Sequence, residues 1–180
     1  LTKAEVTWPL DPRPPQDEIL FTMSSELTRV RSNTFLEGRN FASPRLQVSA
    51  SREGINIAGP VRIGDVNGVG AWDQRFGDPN APGSRVFAEV DLSQAFLDEF
   101  DIALPPGTID GSGKGELAVE FQEGVPPAFS LSSDLIGMRV AIPAVGWSKA
   151  PQTTGRLLVE GTLGEVPTVD QLEVSGGGLN

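Results

Sequence analysis

Lys114-Gly-Glu-Leu-Ala-Val-Glu-Phe-Gln-Glu-Gly-Val-Pro-Pro-Ala-Phe-Ser-Leu-Ser-Ser-Asp-Leu135 is the stretch from which the fold can be read. Leu117, Val119 and Phe121 alternate with Glu116, Ala118 and Glu120, and after a turn at 124–127 the beat resumes at Phe129, Leu131 and Ser133. A period of two belongs to strands with one buried face, so the stretch predicts a β-hairpin. The same unit stands earlier in the chain. Lys3-Ala-Glu-Val precedes Lys114-Gly-Glu-Leu by 111 residues, Phe21-Thr-Met-Ser-Ser-Glu-Leu precedes Phe129-Ser-Leu-Ser-Ser-Asp-Leu by 108, and Arg45-Leu-Gln-Val precedes Arg156-Leu-Leu-Val by 111. An internal repeat of strands therefore organises the chain.

Working outward, 4–8 alternate before a proline-rich segment at 9–15 that cannot pair as a central strand. Ile19, Phe21 and Met23 share a face of a long strand expected to reach Val30, and 33–44 reads as irregular. Leu46, Val48 and Ala50 alternate strictly, and Arg52-Glu-Gly54 turns the chain into Ile55-Asn-Ile57. Gly64, Gly68 and Gly70 before Trp72 predict bulges or close backbone approach rather than a packed strand, and 77–84 an exposed turn. After a strand at Val86, Ala88, Val90 and Leu92, Asp91-Leu-Ser-Gln94 resembles a capping box opening a helix over 93–100. Leu92, Phe96 and Phe100 give that helix one apolar face, fit to plug or cover a sheet. The second repeat predicts strands at 116–122, 128–135, 138–142, 155–163 and 169–175.

The expected fold is thus mainly β: a strongly twisted, curved antiparallel sheet forming an open groove or incomplete barrel, built from two related halves with one short helix. The first repeat occupies 1–84, a strand and helix connect through 85–113, and the second repeat fills 114–180, as one continuous domain. The chain begins at Leu1 and ends in Gly176-Gly-Gly-Leu-Asn180, and is read as a piece of a larger protein.

Composition narrows the function. Within 180 residues, a net charge of −10 without a Lys/Arg cluster disfavours nucleic acid and anionic membrane surfaces as partners. Cys and His are both absent, which removes thiol chemistry, the commonest general base and the commonest transition-metal ligand. No apolar run reaches the roughly 18–20 residues of a membrane helix. Gly107-Thr-Ile-Asp-Gly-Ser-Gly-Lys-Gly115 superficially resembles a phosphate loop, but Thr108 replaces the first motif glycine, Gly115 the magnesium-binding hydroxyl, and a strand follows instead of a helix. Asp73, Asp78 and Asp110 lack the spacing of a calcium loop. Ser132-Ser-Asp134 and Ser24-Ser-Glu26 lack a histidine base, and no feature singles out Lys3, Lys114 or Lys149 as a substitute. No enzyme activity, cofactor or metal is expected.

What remains is a greasy face. A sheet with one apolar side must hide it against protein or against an apolar ligand, and periodicity alone leaves both open. A trough lined by Val6, Trp8, Phe21, Met23, Leu46, Val48, Ile55 and Ile57, and in the second repeat by Leu117, Val119, Phe121, Phe129, Leu131, Leu157 and Val159, would suit acyl chains. At about 0.8 kcal/mol per buried methylene, a ~16-carbon chain gains on the order of 10 kcal/mol there.

Phe129-Ser-Leu-Ser-Ser-Asp-Leu-Ile-Gly-Met, Val145-Gly-Trp-Ser-Lys, Gly155-Arg-Leu-Leu-Val-Glu-Gly-Thr-Leu-Gly and Val90-Asp-Leu-Ser-Gln-Ala-Phe resemble the repeat region of the large bacterial AsmA-like proteins, the YhdP and TamB group. The resemblance covers nearly the whole chain and rests on degenerate strand patterns. It implies a segment of an envelope-spanning protein, anchored in the inner membrane through a part absent from this chain. Its β-rich body would carry phospholipid across the periplasm between inner and outer membrane, with the rest of the parent protein on both sides. A non-enzymatic structural or interaction module, able to dimerise edge to edge, is the alternative. A carbohydrate-binding β domain is the third, requiring Trp8, Trp72 or Trp147 on one concave surface beside paired carboxylates.

Overall fold

The computed structural model describes residues 2–7, 20–36, 38–77 and 83–177. Ten strands form one antiparallel sheet that does not close on itself. In chain order and sheet order they are β1 (Thr2–Thr7), β2 (Leu20–Leu36), β3 (Arg39–Ser51), β4 (Gly54–Ile63), β5 (Val66–Arg75) and β6 (Ser84–Leu92), then β8 (Gly113–Gln122), β9 (Val125–Ser133), β12 (Gly155–Thr162) and β13 (Thr168–Gly176). The other elements among the described residues are a three-stranded sheet, ordered β11 (Trp147–Lys149), β10 (Met138–Ile142), β7 (Ile109–Gly111), one α-helix, α1 (Gln94–Glu99), and a 3-10 turn at Pro143–Val145.

Two-residue loops make the meander. Arg52-Glu53, Gly64-Asp65 and Glu123-Gly124 each join paired strands, with Gly64 (φ 52°) and Gly124 (φ 77°) supplying the positive φ that hairpin turns favour. The repeat survives in three dimensions. β1, β2 and β3 correspond to β8, β9 and β12, and in both halves these three strands are sheet neighbours in that order. Register differs: Val6 lies opposite Phe21, whereas its counterpart Leu117 lies opposite Leu131, the counterpart of Met23. A slip of two residues leaves every side chain on its original face.

The long strands are longer than their alternation shows. β2 runs past Val30 to Leu36 and β3 starts at Arg39, so 33–36 and 39–44 are strand, and the expected irregularity is a slip in register, between Ser32 and Leu36 against β3 and between Ala42 and Gln47 against β4. Arg29 takes a left-handed φ of 53°, and together with the slips this breaks the period of two. Buried Ser43 fills the irregularity: its hydroxyl donates to the Pro60 carbonyl at 2.6 Å and accepts from the Arg45 N–H at 3.2 Å.

Other expectations need correction. The glycine-rich run before Trp72 is a regular central strand, β5, paired without a slip to β4 and β6. Its glycines serve close approach, since a Cβ at Gly68 would stand 2.6 Å from the Glu89 carbonyl oxygen. α1 has Ser93 at its N-cap position but no side-chain capping bond, so the resemblance to a capping box did not carry through. The 138–142 strand joins the small sheet, not the repeat sheet. The turn expected at 77–84 falls largely outside the described residues.

The best-buried core sits at one end of the large sheet. Val66, Val90 and Leu92 pack there with Phe96 of α1 and with Leu135, Met138 and Val140. Gly115 admits this packing: a Cβ there would stand 2.8 Å from Leu92 Cδ1 and 3.1 Å from Leu131 Cδ1.

Candidate functional site: the apolar face of the large sheet

Residues directly opposed across antiparallel strands point to the same side, so the register of the strands fixes the two faces. One row crosses all ten strands: Thr2, Ser25, Val48, Ile57, Trp72, Val86, Val119, Phe129, Gly161, Val169. Neighbouring rows bring Ala4, Met23, Ala50 and Ile55 together, and Ala88, Leu117, Leu131, Val159 and Leu172. Leu46 opposes Leu27, Val6 opposes Phe21, Leu157 opposes Val174, and Phe121 opposes Ser84. Fourteen of the fifteen residues proposed from sequence as a lining therefore share one side, and Trp8 lies outside the described residues.

That side is covered unevenly. Leu46, Val48 and Val119 are each 7% exposed, while at the flanks Val6 is 60% and Leu172 64% exposed. α1 packs against β5, β6 and β7 at one end only. Toward the other end, an open recess of about 380 Å³ touches Met23, Ala50 and Ile55 and is rimmed by Glu53 and Arg75.

The opposite side carries the charge. Glu26, Gln47, Ala58, Ala71, Phe87, Ala118, Ser130, Glu160 and Gln171 form a row there. Cross-strand ion pairs tie it together: Arg85–Glu120 at 3.2 Å, Lys114–Glu89 at 3.1 Å and Lys114–Asp91 at 2.8 Å. Hydrogen bonds from Lys114 to Asp91 and then Glu89 raise its pKa above the ordinary lysine value. These pairs leave the apolar side without formal charge along its central row.

The polar residues considered for chemistry hold the backbone instead. Ser133 Oγ donates to the Lys114 carbonyl at 2.6 Å and accepts from Leu135 N–H, and Asp134 accepts from Ile136 N–H. Lys149 is 1% exposed and donates to the carbonyls of Leu135 (2.7 Å), Met138 (3.0 Å) and Ala150 (3.0 Å). Burial lowers its pKa, partly offset by the charge of Asp134. The stretch resembling a phosphate loop forms β7 and the start of β8, and Asp110 accepts from the Gly111 N–H. Among the described residues no three His, Cys, Asp or Glu side chains converge as a metal site. Trp72 is half-buried on the apolar side of the large sheet, and Trp147 belongs to the small sheet, donating to the Gly176 carbonyl at 2.9 Å.

Sequence reasoning missed part of the apolar side. Trp72, Val86, Ala88, Leu172 and Val174 belong to it, and for four of them the signal was present as alternation in strands already recognised. Trp72 lay behind glycines that argued against a packed strand.

No protein-family model matches the chain, and neither does any curated protein or solved structure.

Proposed function

We propose that this chain holds the acyl chains of phospholipid on the apolar side of its ten-stranded sheet, as a segment of a periplasmic lipid-transfer protein. The observation that carries the reading is the row from β1 to β13, apolar for most of its length, in a sheet that stays open. At about 4.8 Å per strand spacing, nine spacings give a surface roughly 43 Å across, ample for an extended acyl chain. Such a surface needs no catalytic group. It keeps hydrocarbon from water while the charged opposite side faces solvent, and the methylene term alone supplies on the order of 10 kcal/mol for ~16 carbons.

A second reading, a structural module that joins other strands, is favoured by the two edges. β1 is exposed along its whole length, and Leu172 and Val169 on β13 are 64% and 61% exposed. Among the described residues neither outer strand has a partner on its far side, and edges of this kind accept a strand from a second copy or from a larger parent chain.

Two phenylalanines on opposite sides separate the readings. Phe121 is 37% exposed on the apolar side and Phe87 48% exposed on the other. Native mass spectrometry of protein from a bacterial host, with lipid extraction and uptake of a fluorescent acyl probe, should show bound lipid in wild type and Phe87→Asp, and its loss in folded Phe121→Asp. Lipid-free wild-type protein that takes up no probe would remove the lipid reading and leave the structural one.

A further inference from the structure

α1 is too short to stand alone. It spans six residues, with no side-chain cap at Ser93, no acidic residue in its first turn and no basic residue in its last. Isolated helices of this length are unstable, and the carbonyls of a helix end seek a cation. The cation comes from Arg39, the first residue of β3. Its Nη1 donates to the Glu99 carbonyl and lies 3.4 Å from Glu99 Oε1, and its Nη2 stands 3.2 Å from Asp101 Oδ2. The guanidinium also sits 5.0 Å from the centre of the Phe100 ring. One side chain thus engages three consecutive residues where the helix ends.

Two further details belong to the same contact. Asp101 holds a left-handed φ of 55°, an uncommon conformation for a residue with a Cβ, immediately beside the guanidinium. Gly64 in the β4–β5 turn leaves its side-chain position empty for the Glu99 carboxylate, which any Cβ there would overlap. Beyond the helix, the chain to Thr108 is held lightly. Within it the backbone bonds are local, Asp101 N–H to Asp98, Ile102 N–H to Leu97 and Thr108 N–H to Pro105; only its far end is tied to the small sheet, where the Thr108 carbonyl accepts from Ala141 N–H of β10 at 2.8 Å, and Ile102 and Leu104 are 42% and 44% exposed. Gly107, at φ 78°, ends the segment just before β7.

We infer that α1 and the segment 100–108 form a lid that opens as a unit over one end of the apolar side, latched shut by Arg39. Phe96 seats in the core with Val66, Val90, Leu92, Leu135, Met138 and Val140, and Leu97 and Phe100 pack partly buried against the same cluster, so opening lifts three side chains. With the latch released, the lid has little of its own to keep it helical, whereas the strands beneath retain their ladders. Its gating meaning rests on the lipid reading; its mechanics do not.

Native-state hydrogen exchange on lipid-free protein tests this. In Arg39→Ala the amides of Phe96, Leu97, Phe100 and Ile102 should exchange at least about tenfold faster, with β3 and β4 amides unchanged. Should Arg39→Ala fail to fold, the double variant Glu99→Gln/Asp101→Asn keeps Arg39 and removes both carboxylates, and Asn tolerates the left-handed backbone at 101. The same selective acceleration is expected there, and in wild type at 1 M NaCl. Lid amides that stay protected, or that accelerate only together with β3 and β4, overturn the lid. Selective opening without acyl-probe uptake keeps the lid and removes the lipid reading, and uptake without selective opening does the reverse.

Discussion

Replacing Lys149 by Met should destabilise the fold by about 2–3 kcal/mol, a figure worked from its carbonyl acceptors. The ammonium donates to the carbonyls of Leu135, Met138 and Ala150, tying the end of β9 to β10 and β11. Losing the ammonium leaves the buried carbonyls of Leu135 and Met138 short of a donor at about 1–3 kcal/mol each, and relief of the desolvation of a buried charge offsets part of that. Lys149→Met keeps the aliphatic stem that packs beside Gly155. For a chain of this size the net loss corresponds to a fall in Tm of about 4–12 °C. Urea unfolding followed by tryptophan fluorescence measures it. The difference should also change with pH. Burial puts the folded-state pKa of Lys149 below its unfolded value of 10.5, so between the two the unfolded chain binds the extra proton. Wild-type stability relative to Lys149→Met should therefore increase as pH rises through that window, and the increment should be lost as pH falls through the folded pKa. A variant as stable as wild type would refute the carbonyl clamp, and a difference that stays flat up to pH 10.5 would show that the clamp outweighs burial in setting the pKa of Lys149.

Ser43→Ala should cost about 1–3 kcal/mol by urea unfolding, because the Pro60 carbonyl and the Arg45 N–H lose their hydroxyl partner inside a bulge. Gly115→Ala should cost about 1–3 kcal/mol through crowding against Leu92 and Leu131 and lower the urea midpoint. Trp147→Phe, which removes the donor to the Gly176 carbonyl, should accelerate exchange at the β12–β13 end near Gly155 while sparing β3 and β4.

The strands that could be read in the sequence are those where burial on one side imposes a strict period of two. Leu117, Val119 and Phe121, or Leu46 and Val48, show it because each neighbouring position faces water or an ion pair. Where the backbone departs from regular pleating the signal fails. Arg29 turns left-handed, Ser43 fills a bulge, and the strand pairing around 33–44 consequently shows no clean period of two. β5 was obscured differently: its glycines were selected by the closeness of β6, a tertiary constraint invisible in its own composition. β7 and β11 are three residues each, too short for periodicity to register. The lining of the apolar side was legible as a set because register slips of two preserve faces, so even an incorrect register leaves the set intact. Arg39 and Lys149 were not, since a long cationic side chain reaches its carbonyls through a fold the local sequence does not encode.

The strictly sequential strand order has a kinetic side. With two exceptions, the excursion between β6 and β8 that carries α1 and β7 and the one between β9 and β12 that carries β10 and β11, each strand of the large sheet pairs with its successor in the chain. Loop closure then spans a few residues at a time, and contact order stays low for an all-β chain of 180 residues. Assembly resembles a zipper, in which each hairpin templates the next, and the energetics approach those of a nearest-neighbour array. In such an array two strands inserted together restore both direction and face, so a sheet of this kind can change width in steps of one hairpin without any other pairing being rebuilt.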